Sequence, residues 1–191
     1  PFLEKTPGAK QFIRPFLGSK EFINGIPRWC LWLVGHNSND FDALPGIRER
    51  IEACRKDRAE SPDAGRRKLA DTPTLFREQI APNHSYLVVP KVSSQRRDYV
   101  PIGYVDAGTI CSDLLFIVPD GGLYHFGILC SQTHNAWMRM VAGRMKSDYR
   151  YSQALVYNTF PWPNPTPEQR DRIEVCAQAV LDARDAHPGC T

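Results

Sequence analysis

Short strand-like runs crowd the middle of the chain, and this crowding limits the possible folds more than any other feature of the sequence. Runs rich in β-branched and aromatic residues are separated there by turn signals such as Asp106-Ala107-Gly108 and Asp120-Gly121-Gly122. The predicted strands are residues 85–92, 99–105, 109–111, 114–118 and 123–129. The flanking segments have helical spacing, and strands and helices do not alternate regularly. The sequence therefore predicts an α+β fold, with a mixed, largely antiparallel, twisted β-sheet flanked by helices and a C-terminal helix.

Three helices are predicted outside this region, each from its own local signal. Residues 43–60 carry an apolar stripe at helical spacing, and Ser131 is the expected N-cap of a second helix. The C-terminal helix has the clearest start, because Thr166 and Gln169 form a capping box. This helix is expected to end at Pro188-Gly189.

The remaining segments complete the predicted architecture. Residues 29–34 are aromatic and apolar without polar alternation, which predicts a central strand buried on both faces. A loop rich in proline and aromatic residues is expected over residues 157–165. We therefore expect residues 1–160 to form one domain and residues 161–191 to begin a C-terminal helical segment. The chain begins with Pro1 and not with an initiator Met, so we expect it to be a piece of a longer protein.

Composition argues against a disordered tail, a disulfide scaffold and a membrane helix. With 191 residues, of which 42% are hydrophobic, the chain is long enough to bury a core without disulfides. Its six cysteines are scattered and form no Cys-x-x-Cys pair, which indicates a reducing compartment and predicts a cytoplasmic protein. His125, Cys130 and His134 come nearest to a metal cluster, but no second ligand pair lies near them, so no metal site is expected. No apolar run approaches the roughly 20 residues that a membrane helix needs, so no membrane association is expected.

No catalytic signature is found in the sequence. The glycine-rich motifs that bind phosphates are missing, and so is the Gly-x-Ser-x-Gly motif of hydrolases. Asn164-Pro165 is followed by Thr166-Pro167, so it is not the Asn-Pro-Pro-aromatic loop that holds a flipped adenine. His125 and His134 lie beside no nucleophile at a motif spacing, so we expect packed or surface histidines. We therefore expect no catalytic residue in this chain.

Basic residues occur together with aromatic and short polar residues in three segments, 48–68, 93–99 and 139–151. The formal charge is only +3, from 24 Lys and Arg against 21 Asp and Glu, so the positions of the charges matter more than their sum. Each segment alone is typical of a solvated surface. Together they indicate a nucleic-acid interface, in which cations bind phosphates and Gln or Arg side chains bind base edges.

Eight segments carry a specific resemblance to one protein family. They are IRPFLGSKEFING at 13–25, PRWCLWL at 27–33, LADTP at 69–73, PKVSS at 90–94, YVPIG at 99–103, LYHFGIL at 123–129, KSDYRYS at 146–152 and VYNTFPWP at 156–163. They closely resemble the target recognition region of MmeI-like DNA methyltransferases, which are single-chain type IIL, or type IIG-like, restriction–modification enzymes. The resemblance covers nearly the whole chain, in order.

This resemblance implies that the chain is the DNA sequence-recognition domain of a larger enzyme and catalyses nothing on its own. The larger enzyme would carry an N-terminal nuclease, a helical linker and a methyltransferase domain that methylates adenine N6. S-adenosylmethionine and Mg²⁺ are implied for those other domains, and no cofactor is implied for this one. The implied partners are double-stranded DNA and the methyltransferase domain of the same chain.

The resemblance also implies which residues read bases. In the family, base-reading residues follow two serines, and these positions are Gln95, Arg97 and Tyr99 here. Many relatives are acidic at the first position, so the departure at Gln95 affects the preferred base and not the role of the domain. Alternate residues of an extended segment share one face, and in the major groove Gln pairs with adenine and Arg with guanine. Alternatively, Arg97 and Tyr99 only begin the strand predicted over residues 99–105.

Other residues are expected to contact DNA, either because of a looser match to the family or because of their charge. A further base-reading position is implied near residues 63–66, and we assign it to Arg66. We expect two groups of residues to contact the DNA backbone. One is a cluster of cations and tyrosines that follows a helix end, and the other is a single cation near the two serines. The residues expected to bind phosphates are Arg144, Lys146, Arg150 and Arg96.

Two other functions stay open on the sequence. The chain is alternatively a specificity-subunit domain of a multi-subunit restriction–modification system, or a protein-interaction module that docks the domains of its parent without contacting bases. An Asn-Pro-Pro-aromatic motif upstream would favour the single-chain enzyme. Salt-dependent binding of the isolated chain to duplex DNA would discriminate between DNA recognition and the interaction module.

Overall fold

Two compact units make up the structure, a computed structural model that describes residues 2–187. The first unit comprises residues 2–15 and Trp29–Ile80, and the second comprises Phe16–Arg28 and residues 81–187. The α-helices are α1 (Phe2–Lys5), α2 (Ser19–Asn24), α3 (Pro45–Ala59), α4 (Ala64–Lys68), α5 (Leu123–Leu129), α6 (Gln132–Val141) and α7 (Pro167–Ala186). The strands are β1 (Ile13–Leu17), β2 (Trp29–Leu31), β3 (Tyr86–Pro90), β4 (Val92–Ser93), β5 (Gly103–Val105), β6 (Ile110–Cys111), β7 (Leu115–Val118), β8 (Gly143–Met145) and β9 (Asp148–Arg150).

The first unit is built around α3, whose apolar face follows the predicted helical stripe. Ile47 of α3 is fully buried and belongs to one hydrophobic cluster with Phe12 and Phe41. The first three residues of β1 pair antiparallel with β2. Arg58, near the end of α3, donates hydrogen bonds to three carbonyl oxygens of residues 69–75, at 2.8–2.9 Å. This side chain therefore fastens the segment that follows α4 to α3.

The second unit is built around β3, which is buried along its whole length. This strand pairs antiparallel with β5 on one side and with β7 on the other. Because successive strand residues point to opposite faces, Leu87 and Val89 enter one apolar cluster while Tyr86 and Val88 enter another. Burial on both faces explains why the sequence of β3 has no polar alternation.

A second small sheet in this unit has the strand order β4-β9-β8. Strands β8 and β9 form a hairpin with Lys146 and Ser147 at its tip, and β4 pairs antiparallel with β9. The last residues of β1, Phe16 and Leu17, pair in parallel with β6. The strands are thus divided among small, mostly antiparallel pairings with helices around them, and the predicted α+β class is confirmed.

Helix α7 packs on α5 and shares the core of the second unit. Gly127 of α5 permits this close approach, because a Cβ at that position would lie 2.9 Å from Ile173 Cγ2 and 3.2 Å from Ala177 Cβ. The domain boundary expected after residue 160 stays a prediction.

Both helix starts predicted from N-caps are confirmed. Thr166 Oγ1 accepts a hydrogen bond from Gln169 N, and Gln169 Oε1 accepts one from Thr166 N, which completes the capping box of α7. Ser131 Oγ accepts from His134 N at 3.1 Å at the start of α6. The predicted end of the last helix, at Pro188-Gly189, lies outside the described residues.

Three of the strand predictions are wrong. Residues 123–129 form helix α5, because a short apolar run has no periodicity that separates a strand from a buried helix. Residues 29–34 form only the three-residue strand β2, which pairs with β1 alone in the described part of the chain and leaves Trp29 62% exposed. Only the last three residues of 99–105 form a strand, β5, since Pro101 has no N–H to donate to a ladder.

Candidate nucleic-acid interface

The β4-β9-β8 sheet brings two of the three basic segments together. β4 leads directly into residues 94–99, and its neighbour β9 belongs to the hairpin of residues 143–150. Residues 94–99 and 139–150 hold six cations and two carboxylates. The cations are Arg96, Arg97, Arg139, Arg144, Lys146 and Arg150, and we call these six residues the basic region. Positive charge that is spread along the sequence is therefore concentrated in one part of the second unit.

Residues 94–97 form a turn and not the predicted extended segment. Arg97 N donates to Ser94 O at 3.1 Å, and Arg96 N donates to Ser94 Oγ at 3.3 Å. Serine side chains that bond to nearby backbone in this way compete with strand formation. Gln95 and Arg96 are exposed in the turn, and Arg97 is half-buried. The argument from strand alternation for Gln95 and Arg97 is therefore wrong, and their base-reading role stays a prediction from the resemblance.

Most of the side chains that are predicted to contact DNA have no hydrogen-bonding or ion-pair partner among the described residues. Within the described chain, five side chains of this area form no hydrogen bond or ion pair: Gln95, Arg96, Arg97, Lys146 and Arg150. Tyr99 lies close by in the sequence and is 45% exposed. Cations and amides without partners in the protein are available to phosphate oxygens and base edges.

Arg144 and Arg150 project from opposite faces of the sheet. The hairpin register pairs Arg144 with Tyr149 and Arg150 with Gly143. Paired residues of an antiparallel ladder share a face, and successive residues alternate between faces. Arg144 Cζ lies 3.8 Å from the centroid of the Tyr149 ring, and Arg144 Nη1 donates to Ser147 O at 2.9 Å. Arg144 is therefore held against the hairpin, and the predicted phosphate-binding residues do not all share one face.

Lys146, at the tip of the hairpin, has a φ of 57°. It is the only non-glycine residue between positions 2 and 187 with a positive φ. Two-residue hairpin loops require a positive φ at their first residue, and this position is usually Gly, Asn or Asp. The side chain of Lys146 is exposed. The hairpin therefore holds an ammonium group at its end, in a backbone conformation that lysine rarely adopts.

Arg66 lies on α4 in the first unit, where its backbone N–H and its side chain already have partners. Its N donates to Asp63 Oδ1 at 2.6 Å, as part of the N-cap of α4, and its guanidinium pairs with Asp57. Both members of this ion pair are exposed, so its contribution to stability is small. Arg67 and Arg58 bind carbonyl oxygens of the same unit, so part of this basic segment serves the fold. The base-reading role of Arg66 stays a prediction.

Three polar residues that sequence reasoning does not select hold residues 95–100. Arg139 Nη2 donates to two carbonyl oxygens of this segment, each at 3.0 Å. Asn135 Oδ1 accepts from one backbone N–H of the segment at 3.0 Å, and Asp148 Oδ1 accepts from another at 3.3 Å. The only signal in the sequence is the i, i+4 spacing of Asn135 and Arg139, which places both on one face of α6.

The two histidines considered as bases belong to the packing. His134 is fully buried, and its Nε2 lies 3.0 Å from Tyr151 Oη. Burial lowers the pKa of His134 to about 4, so the ring is neutral at pH 7. Burial also lowers the pKa of His125, and the nearby Arg170 cation lowers it further. Of the packed and surface positions expected for these histidines, His134 takes the packed one.

Two observations concern metals and membranes. Between residues 2 and 187, no three His, Cys, Asp or Glu side chains are grouped as ligands of a metal ion. No helix in the described part of the chain is long and apolar enough to span a membrane.

Comparisons with known proteins agree on one family. The family model described as MmeI, target recognition domain, matches residues 1–164. DNA methyltransferase A of Bacillus subtilis (strain 168) is 41% identical over 187 residues, which are 98% of this chain and 21% of that protein. The structure of the type IIL restriction-modification enzyme MmeI in complex with DNA matches with a TM-score of 0.95 and 41% sequence identity, covering 99% of this chain and 25% of that chain. The chain thus spans a quarter or less of the length of these relatives. The resemblance is confirmed, and the chain belongs to the family of MmeI target recognition domains.

Proposed function

We propose that the chain recognises a short sequence in duplex DNA, as the specificity domain of a DNA methyltransferase with restriction activity. The relatives support this proposal, since one is named a DNA methyltransferase and the other is a restriction-modification enzyme in complex with DNA. The observation that carries it is the set of cations around the β4-β9-β8 sheet that have no partner among residues 2–187. A DNA duplex carries one negative charge per ~1.7 Å of axis, and such cations can bind it without breaking protein contacts.

The backbone of the DNA is bound by Lys146, Arg150 and Arg96 in this proposal. Their side chains are exposed and unpaired within the described residues. Contacts to phosphates fix the register of the protein on the duplex but carry no sequence information. Arg144 contributes less than these three, because its guanidinium already stacks on Tyr149 and donates to the hairpin backbone.

Base edges are read by Gln95 and Arg97, which follow β4 at the edge of the same sheet. Both side chains lack partners in the described chain, so binding a base leaves no protein group unsatisfied. A bidentate pair of Gln with adenine, or of Arg with guanine, contributes about 1–3 kcal/mol of discrimination. Tyr99 and Arg66 are the further base-reading residues of this proposal.

The chemistry belongs to other parts of a longer protein in this proposal. A methyltransferase domain transfers a methyl group from S-adenosylmethionine to adenine N6, and the adenine must leave the base stack for that step. A nuclease domain uses Mg²⁺ to cut the DNA. The recognition domain places one adenine at the methyltransferase pocket, and we expect the enzyme to act in the cytoplasm. No residue from 2 to 187 is assigned to either cofactor.

Salt-dependent binding of the full-length protein to duplex DNA tests the phosphate contacts. We expect Lys146→Gln to reduce the slope of log K against log salt by about one, without changing the preferred sequence. Lys20→Gln on α2 is the matched control, because Lys20 is exposed and lies outside the basic region. Binding of the unchanged protein to duplex DNA that does not depend on salt would contradict the phosphate contacts of the proposal. Equal slopes for Lys146→Gln and Lys20→Gln would remove Lys146 from the interface.

A further inference from the structure

The segment between β4 and β5 is held by side chains and not by a strand ladder. Arg139 Nη2 donates to the carbonyl oxygens of Arg97 and Asp98, each at 3.0 Å. One turn earlier on the same face of α6, Asn135 Oδ1 accepts from Val100 N at 3.0 Å. Asn135 is 4% exposed, and its Nδ2 donates to Ser131 O at 2.8 Å, which fixes the orientation of its amide. Helix α6 thus holds three of the four residues from 97 to 100 by hydrogen bonds to their backbone.

The other end of the segment is fastened to the hairpin. Ser93 pairs with Tyr149 in the ladder, and Gln95 N donates to Asp148 Oδ1 at 3.3 Å. Residues 95–100 are therefore attached at both ends, to β9 and to α6. The backbone atoms of Gln95 and Arg97 make two of these attachments, whereas their side chains form no hydrogen bond or ion pair with any described residue.

We infer that Arg139 is a positioning residue for base reading, although its charge and exposure resemble those of a phosphate-binding residue. Both hydrogens of its Nη2 bind backbone carbonyls, one of which belongs to Arg97 itself. A base-reading side chain discriminates only if its backbone holds it within a fraction of an ångström of the productive geometry. Arg139 supplies this constraint from a helix, which is more rigid than a loop. The inference deepens the proposed function and rests on it.

Two substitutions separate positioning from phosphate binding. Arg139→Met keeps an unbranched side chain that reaches about as far as Nε, but it removes the charge and the donors. Arg139→Lys keeps the charge, but its ammonium is one bond shorter than Nη2 and does not reach both carbonyls. We expect both variants to fold, because Arg139 is exposed. Lys146→Gln is the matched control for the loss of one charge from the basic region.

The first readout is sequence preference, measured by binding of the full-length protein to a library of randomised duplexes and sequencing of the bound fraction. We expect both Arg139 variants to lose preference by about five-fold or more at the base pairs that also change in a Gln95/Arg97 double substitution. Arg139→Met should leave the salt slope unchanged, whereas Lys146→Gln should lower it by about one and keep the preference. A lower salt slope for Arg139→Met, with preference intact in both variants, would make Arg139 a phosphate contact and overturn the inference.

The second readout needs no DNA. Amide hydrogen exchange of the peptide covering residues 93–100 should be faster in Arg139→Met than in the unchanged protein, and unchanged in Lys146→Gln. Equal exchange in all three proteins would show that Arg139 does not constrain the segment, and would overturn the inference even if DNA binding is sequence-specific. If exchange changes as expected but the unchanged protein has no sequence preference, the proposed function fails, and with it the role in base reading.

Discussion

Acid is expected to destabilise the fold through His134, which has no exposed surface. Burial lowers its pKa from 6.5 to about 4 in the folded chain, while the unfolded chain keeps the ordinary value. Between these two values the unfolded chain binds the proton more readily, so stability falls as the pH falls from about 6.5 to about 4. One pKa unit corresponds to about 1.4 kcal/mol, so the loss is about 2 kcal/mol at about pH 5 and about 3 kcal/mol at about pH 4.

Chemical denaturation of the unchanged protein and of His134→Gln, at about pH 7, 5 and 4, measures this loss. Gln keeps a hydrogen-bonding partner for Tyr151 Oη but does not titrate, so the carboxyl groups and the other histidines contribute equally to both proteins. On going from about pH 7 to pH 4, we expect the unchanged protein to lose about 3 kcal/mol more than the variant. If acidification costs both proteins the same free energy of unfolding, His134 is protonated inside the fold and the reasoning from burial is refuted.

Three further measurements test other parts of the structure. Replacing Gln95 and Arg97 together by Ala should change the sequence preference by about five- to 150-fold at the affected base pairs, with little change in melting temperature; an unaltered preference would remove both from base reading. Gly127→Val should lower the free energy of unfolding by about 1–3 kcal/mol, because its Cβ would lie 2.9 Å from Ile173 Cγ2. Gly143→Val is the control, since a Cβ there meets no described atom within 4 Å, and equal stability of the two variants would contradict tight packing of α5 on α7. The purified chain should neither methylate DNA with S-adenosylmethionine nor cut it with Mg²⁺, because its sequence has no catalytic motif; transfer of labelled methyl groups would contradict a purely recognising role.

Features that depend on neighbouring residues could be predicted from the sequence. Thr166, Gln169 and Ser131 start their helices as predicted, because a cap joins residues only three positions apart. The apolar stripe of α3 is equally local, and Ile47 is buried as its spacing indicates. The basic character of residues 93–99 and of the hairpin could also be predicted, because it depends on composition alone.

Features that depend on distant contacts could not be predicted. Arg139 binds carbonyl oxygens 41 and 42 positions away in the sequence, and its i, i+4 spacing from Asn135 alone does not distinguish it from a surface arginine. Arg58 is a similar case in the first unit. The run 123–129 is short and apolar, so only its packing against α7 decides between helix and strand. The serine at position 94 bends the chain into a turn, which competes with the strand that the alternation of Gln95 and Arg97 suggests.

The left-handed backbone of Lys146 bears on how affinity for DNA can be engineered. Lysine, unlike glycine or asparagine, adopts this conformation at a cost of about 1–2 kcal/mol, so the hairpin itself would be more stable with Gly or Asn at its tip. Stability and phosphate binding therefore favour different residues at this position. A small library at this single codon would give a graded series of DNA affinities, in which the weakest binders are not the least stable proteins. The choice of bases would be left intact in such a series, because it is assigned to a different loop.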